Sequence, residues 1–424
     1  MLIMESVVKI LRDSYINELM IRRQNGMIKV VTGMRRAGKS YLLLKLFHEK
    51  LIEEGVPEDH ILGLALDDLR EIELRNPKNM MAWIESKIKD KQQYYLILDE
   101  VQFLGEFAAV LNSCLHIDNL DVYATGSNSR FLSTDILTEF RGRGDQVHVY
   151  PLSFSEYSSA CQLPERTALN EYLRYGGLPY ILSCKTDAQK VQYLDSLWRE
   201  VYLRDIIEHN RILHSKELEE LLSVYASSIG SLSSLRKLAD TFRSAKGMTL
   251  SINTIGTYSD FLEEAFLINK SVRYDIKGRK YIDSPVKFYF EDLGIRNACL
   301  NFRQVERNHL MENAIYNELC RRGFSVDVGT VYSYEKDADG RQVRKNLEVD
   351  FVANLGDKRY YIQSAYQMPD DEKREQESRP LRKISDNFRK IIVTYDDISP
   401  YHNEDGFLNI GLAEFLRNDN SLDL

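Results

Sequence analysis

The sequence predicts an α/β chain: an N-terminal parallel sheet around a phosphate-binding loop, a helical middle region and a second α/β unit at the C-terminus. Three observations predict it. Residues 27–31 form a mostly apolar run that enters Gly33-Met34-Arg35-Arg36-Ala37-Gly38-Lys39-Ser40, and residues 41–47 read as a helix packed on one side. Residues 94–98 are apolar or aromatic and run into Asp99-Glu100, as a central parallel strand does. Residues 202–269 follow a helical pattern, and strand patterns resume beyond Leu310.

The loop carries the sharpest chemistry. Glycine at its first and sixth positions lets the backbone turn tightly and approach an anion with no Cβ in the way. The loop amides and the start of the helix then point at phosphate. Gly33, Arg35, Arg36, Ala37, Gly38, Lys39, Ser40 and Tyr41 are therefore the expected nucleotide contacts. Lys39 reaches the β/γ-phosphates in this reading, and the Ser40 hydroxyl holds Mg²⁺. Ligands of open α/β sheets sit at the carboxyl ends of the strands, so Asp99 is expected to face the same Mg²⁺. Glu100 is the expected base that polarises the attacking water. A strand that merely ends in solvated acids is the alternative for this pair.

Residues 120–125 read as a further strand, followed by Gly126-Ser127-Asn128-Ser129. Ser127 or Asn128 is placed to touch the γ-phosphate or the water, unless the segment is a plain turn. Arg141 and Arg143 precede a last strand expected at 147–154. Each offers a charged fork for a phosphoryl group, acting in trans if the protein oligomerises, or else a basic loop in solvent. Tyr175-Gly176-Gly177-Leu178-Pro179 forces a turn, and Pro179 is also suited to packing on a flat base.

Composition bounds the rest. A chain of 424 residues predicts two or three domains, and 43% apolar residues suffice for packed cores. A net charge of -8 disfavours a general nucleic-acid coat while leaving a local basic face open. Cys114, Cys161, Cys184, Cys299 and Cys320 form no C-x-x-C, so free thiols are expected rather than a zinc site or a disulfide framework. No run approaches membrane-spanning length and no signal segment is evident, which predicts a cytoplasmic setting without membrane insertion.

The remaining elements follow in order. Residues 5–24 read as an amphipathic helix, 61–66 as a strand and 80–89 as a helix. Helices at 234–242 and 252–266 precede a hairpin at 266–274 and 287–290, a winged-helix arrangement. Arg273, Lys277, Arg279 and Lys280 give its wing a basic edge. Asp260, Glu263 and Glu264 make the second helix a poor DNA reader, which favours a protein-contact or structural role. A third unit follows: a helix at 310–322 carrying Glu312, strands at 330–334, 347–354 and 360–366, a charged stretch at 370–380, a helix at 381–388 and a strand at 390–395. Its hairpin turn is expected at 342–345.

With these units in order, the chain resembles the bacterial and archaeal AAA-type P-loop ATPases that carry a C-terminal domain of unknown function. The loop itself, Leu98-Asp99-Glu100-Val101-Gln102, Thr125-Gly126-Ser127-Asn128-Ser129, Arg141-Gly142-Arg143 and Tyr175-Gly176-Gly177-Leu178-Pro179 carry the resemblance. It implies a P-loop NTPase core at 1–155, a helical extension at 156–213, a winged-helix-like domain at 214–305 and a restriction-endonuclease-like domain at 306–424. It implies catalytic roles for Lys39, Glu100, Asn128, Arg141 and Arg143, Mg²⁺ on Ser40 and Asp99, and Pro179 near the adenine. Active restriction-endonuclease-like sites carry a helix glutamate, an aspartate and Glu-x-Lys. Glu312 and Asp350 fit the first two places, and Gln363-Ser364-Ala365 stands in the third. A neutral Gln363 and a bare Ala365 predict that this domain does not cut nucleic acid. The function expected is ATP hydrolysis driving a conformational change, with a protein partner or self-association. A nucleotide-switched binding module and a DNA-associated ATPase are the alternatives.

Overall fold

The apolar strands of the first third alternate between two cores. Ile28, Val30, Leu96, Leu98, Val122 and Ala124 pack on one face, while Val31, Tyr95, Ile97, Tyr123 and Val147 pack on the other. A strand buried on both faces must be apolar throughout, which is why periodicity is absent from these runs. The computed structural model describes residues 9–126, 140, 142–213, 215–245, 250–303, 305–336 and 341–424. The chain divides into two units, Met1–Pro151 and Leu152–Leu424.

In the first unit, β1 (Ile28–Thr32), β2 (Ile61–Ala65), β3 (Tyr94–Asp99), β4 (Leu120–Thr125) and β5 (Gly144–His148) form a parallel sheet in the order β2-β3-β4-β1-β5. Parallel pairing demands crossovers, and the helices Lys39–Tyr41 with its continuation to Glu53, Pro77–Lys87 and Phe107–Cys114 supply them. Asn76 caps the Pro77–Lys87 helix by accepting from Lys78 N and Asn79 N, with proline at the first turn. The helix after the loop widens to π-type turns over Leu42–Phe47, with Leu42, Leu43, Leu46 and Phe47 buried. Lys29 of β1 is also buried and pairs with Asp121 of β4, whose other oxygen accepts from the Tyr123 hydroxyl at 2.9 Å.

The last strand of this sheet ends at His148, not at 154. Ser153 instead starts the helix Phe154–Ala160 through a capping box. Its hydroxyl accepts from Glu156 N at 3.1 Å, and the Glu156 carboxylate accepts from Ser153 N at 2.9 Å.

In the second unit, helices run from Phe154 to Glu264 and lead into an eight-stranded sheet. Its strands are β6 (Ile268–Asp275), β7 (Lys280–Phe290), β8 (Ser325–Lys336), β9 (Gln342–Leu355), β10 (Lys358–Ala365), β11 (Arg389–Thr394), β12 (Tyr401–His402) and β13 (Leu408–Gly411), in the order β12-β13-β11-β10-β9-β8-β6-β7. The hairpin expected as a wing is β6–β7, and β6 pairs in parallel with β8 through Arg273↔Val328 to Asp275↔Thr330. One sheet therefore runs across the expected line between 305 and 306.

Two local expectations are corrected. The charged stretch is itself the helix, Asp371–Arg382, and 383–388 lies beyond it. Asp370 caps it by accepting from Lys373 N at 2.8 Å, and the Lys373–Glu377 pair ties successive turns. Residues 342–345 are strand rather than turn, since Gln342 pairs with Lys336 and Lys345 with Ser333.

Candidate active site

The loop leaves β1 with Gly33 at φ +133°, where a Cβ would stand 2.1 Å from the Val149 carbonyl oxygen. Val149 N donates to Thr32 O at 2.8 Å, which holds that carbonyl against the loop. Positive φ at Arg36 (68°) and Gly38 (98°) then turns the chain into the helix that begins at Lys39. Lys39 is buried, and its Nζ donates to Gly33 O at 2.9 Å and Met34 O at 3.1 Å. Arg35, Arg36, Ser40 and Tyr41 are exposed, and Ala37 is buried.

Strand order positions the carboxylates. β4 lies between β1 and β3, so the loop and Asp99 stand two strand spacings apart, roughly 10 Å. Thr125, at the end of β4, fills the gap. Its hydroxyl donates to Asp99 Oδ1 and accepts from Glu100 N at 3.0 Å. Ser40 also hydrogen-bonds the Asp99 side chain. Burial pushes the Asp99 carboxyl above its ordinary value, the Thr125 and Ser40 hydroxyls oppose this, and Glu100 and Asp67 add to it. Glu100 occupies the left-handed region at φ 53°, and its carboxylate accepts from the Gln102 amide. Ser40, Asp67, Asp99, Glu100 and Thr125 thus gather at the carboxyl end of the sheet. A hydroxyl beside hard carboxylate oxygens, one of them buried and costly as an anion, fits Mg²⁺, and the glycine cradle fits a phosphate.

Arg143 is not brought to this end. Ile28 pairs with Gly144, so Arg143 sits at the opposite end of β1 from Gly33, about 15 Å of strand away. The parallel register rules out its touching its own chain's phosphate from there, and a finger role would have to come from a second copy. Asn128, Ser127 and Arg141 lie outside the described residues. Pro179 belongs to the second unit, where it opens the short helix Pro179–Ser183. The glycines before it have local work. A Cβ on Gly176 would meet Asp292 Oδ1 at 2.3 Å and one on Gly177 the Leu152 carbonyl oxygen at 2.3 Å, while Gly177 N donates to Asp292 Oδ2 at 2.8 Å.

Sequence reasoning missed Arg12 and Thr125. Arg12 is buried and donates to Ala37 O at 2.9 Å and Tyr150 O at 2.8 Å, tying the loop to the segment after β5. No local pattern marks an arginine whose partners lie 25 and 138 residues away. Thr125 was discoverable, because it is the small polar residue that ends this strand.

The second unit brings Glu312 and Asp350 together around Lys287 of β7, whereas the Gln363 amide donates to Glu377 at 3.1 Å. The Lys287 ammonium lies 2.8 Å from Glu312, 2.7 Å from Glu348 and 3.6 Å from Asp350. Lys287 thus sits among carboxylates of two other elements, a cation that the sequence reading did not single out.

Comparison with known proteins adds the following. Residues 25–158 match an AAA domain, and residues 166–306 match a domain of unknown function, DUF8612. An uncharacterised protein of Haemophilus influenzae is 30% identical over 395 residues, covering 92% of this chain and 94% of that protein. One from Methanocaldococcus jannaschii is 27% identical over 391 residues, covering 87% and 82%. Among solved structures, a Walker-type ATPase of Pyrococcus abyssi aligns at 14% identity over 69% of this chain and 96% of that one, with a TM-score of 0.46.

Proposed function

The chain belongs to the AAA-type P-loop ATPases that carry a domain of unknown function, and from that premise we propose that it binds ATP with Mg²⁺ and hydrolyses it to change its conformation. The observation that carries this reading is Thr125, hydrogen-bonded at once to Asp99 and to the backbone of Glu100, beside a serine of the phosphate loop.

The residues divide the work. Loop amides and Lys39 neutralise phosphate charge. The Lys39 ammonium is already held at the loop by two neutral carbonyls, and a charged phosphate oxygen is the stronger acceptor. Ser40 and Asp99 would hold Mg²⁺, which supplies charge stabilisation for the transferring phosphoryl group. Glu100 takes the proton of the attacking water or orients it, and Gln102 fixes its carboxylate. The test is turnover after substitution. Lys39→Ala should lose nucleotide binding or turnover, whereas Glu100→Gln should keep ATP bound and hydrolyse it at least about a hundredfold more slowly. Unchanged turnover in both variants removes the assignment.

One contact also favours a slow, switched hydrolysis. The Gln102 amide occupies one oxygen of the Glu100 carboxylate. If it only orients Glu100, Gln102→Ala should lower kcat about tenfold. A rise in kcat instead would mean that the amide restrains the base and that a partner relieves it.

A protein partner is proposed over duplex DNA. In the helix Ile252–Glu264, Asn253, Thr257 and Asp260 are exposed, and Glu263 and Glu264 are half-buried, so its outer face offers no positive charge. No helix of the described residues is long and apolar enough to cross a membrane. A cytoplasmic setting is part of this proposal and is supported by the ATP requirement. A restriction-endonuclease-like ancestry for the C-terminal sheet is proposed with it, on the positions of Glu312 and Asp350.

A further inference from the structure

The second unit holds an open cavity of about 390 Å³ lined by Asn170, Leu173, Arg174, Val305, Arg307 and Leu310. Two helices wall it. Arg166, Asn170 and Arg174 recur every four residues along the helix Glu165–Tyr175, and Arg307 and Leu310 lie in the first turn of the helix Arg307–Arg321. A tyrosine pair joins the two walls. The Arg166 guanidinium lies over the Tyr395 ring at 4.8 Å, and the Tyr395 hydroxyl donates to Asn170 Oδ1. Arg307 Nη1 donates to the Tyr366 hydroxyl at 3.3 Å, and the Tyr366 and Tyr395 rings stand 4.9 Å apart. Leu173 and Leu310 are buried, whereas Val305 and the arginines are exposed.

The charge here has no counterpart. Arg321, Arg322, Arg374, Arg382 and Arg417 of the same unit are each ion-paired. Among the described residues no carboxylate pairs with Arg166, Arg174 or Arg307. The acids that begin the two helices are engaged elsewhere. Glu165 lies 3.0 Å from Arg417, and Glu306 lies 3.8 Å from His309 and 4.0 Å from Arg296. Guanidiniums gathered without a counter-charge repel one another, and a bound anion relieves that repulsion. Arginine grips phosphate through a rigid fork of donors. We propose that this cavity binds a compact organic phosphate, with its dianionic group held by Arg174 and Arg307 and its apolar body against Leu173, Val305 and Leu310. A phosphomonoester carries close to two negative charges at neutral pH and so matches two guanidiniums, whereas a carboxylate carries one. The volume lies near the lower end for small-molecule sites, which favours a ligand built on one small ring. Leu173 O and Arg174 O also accept from the Asn297 amide, so the ligand ties the two walls together beside the helix Leu293–Cys299. The site lies wholly within the second unit and stands whether or not the phosphate loop of the first hydrolyses ATP.

The test uses the full chain carrying Lys39→Ala, so that the phosphate loop does not compete. Phenyl phosphate, benzoate and orthophosphate are titrated in turn by calorimetry. Phenyl phosphate should bind once per chain, at least about tenfold tighter than benzoate, which lacks the second charge, or orthophosphate, which lacks the ring. Arg174→Gln and Arg307→Gln should each weaken it at least about tenfold, and Arg382→Gln, which removes an ion-paired arginine outside the cavity, should leave it unchanged. Both cavity arginines are exposed, so the melting temperature without ligand should stay within about 2 °C of the parent. The arginine variants should make the same difference in the wild-type chain, which keeps the result independent of how Lys39→Ala folds. Phenyl phosphate should also slow amide exchange in residues 165–174 and 307–314 of the parent and in neither arginine variant. Absence of binding up to about 10 mM overturns the proposal. So does phenyl phosphate binding that benzoate equals or that both arginine variants retain. A single-stranded oligonucleotide that phenyl phosphate cannot displace, and that the same variants release, would overturn it in favour of a nucleic-acid groove.

Discussion

Gly33 shows how one residue joins the fold to the candidate chemistry. Its φ of +133° and the Val149 carbonyl oxygen at 2.1 Å from a would-be Cβ leave no room for any side chain. Gly26 has a similar sign of φ, +74°, but open space around it. Gly26→Ala should therefore cost only about 1–2 kcal/mol, the penalty of a left-handed conformation. Gly33→Ala adds a backbone clash and should cost more than about 3 kcal/mol. It should also displace the loop and abolish binding of a fluorescent ATP analogue, while Gly26→Ala leaves binding intact. Urea denaturation and analogue titration of the two variants check both statements, and equal behaviour would show that Gly33 is not what sets the loop. The loop was legible at this scale because its residues are contiguous and their spacing is the geometry. Arg12 and Lys287 were not, since each acts on groups that only the folded chain brings near. Lys29 was absorbed into an apolar run although it is a buried cation paired with Asp121.

At the scale of elements, Asp292 is the clearest joint. It caps the helix Leu293–Cys299 by accepting from Ile295 N at 2.9 Å, and it accepts from Gly177 N in the Gly-Gly turn. Burial pushes its carboxyl up from 3.8 to about 6, against the backbone N–H groups that lower it. The folded state thus holds a proton between roughly pH 4 and 6 that the unfolded chain has released. The stability owed to Asp292 is fully present below about pH 4 and falls as pH rises to about 6, by about 3 kcal/mol. Asp292→Asn cannot titrate, so its stability relative to wild type should rise by about that amount between pH 4 and 7. Urea unfolding of both proteins at the two pH values measures it, and a pH-independent difference would mean that the carboxyl ionises normally. The turn itself was legible from Gly-Gly-x-Pro, but its partner lies more than a hundred residues later. The strands of the first sheet were legible because burial on both faces forces apolar runs. The Asp371–Arg382 helix was not legible because a charged stretch carries no apolar periodicity, whereas an aspartate cap and the Lys373–Glu377 pair hold it. Hairpin signals likewise identified β6–β7 but carried no information about which sheet it would join.

At the scale of the whole molecule, hydrolysis does work only if nucleotide state alters the second unit. Within that unit, hydrogen bonds join its first residue to the Gly-Gly turn. Leu152 N donates to Gly177 O at 2.7 Å, and Gly177 N is bound to Asp292. The helix that Asp292 caps holds Leu173 O and Arg174 O through Asn297 at 3.1 and 2.8 Å, and Ala226 O through Arg296 at 2.7 Å. If the proposed conformational change displaces the chain just after Pro151, the turn and the Leu293–Cys299 helix are the expected places for it to register together. Glu100→Gln, trapped with Mg²⁺-ATP and compared with the same variant in ADP, should change amide hydrogen exchange in residues 172–183 and 290–303 in concert. The expected change is roughly threefold, or about 0.6 kcal/mol of local opening. The two segments are read by mass spectrometry of peptides from the full chain. Protection confined to residues 9–126 and 142–151 would mean that ATP is held without being transmitted, and the conformational part of the proposed function would fall while nucleotide binding stood. A response in the turn without the helix would instead locate the break at Asp292, where Asp292→Asn should reproduce it.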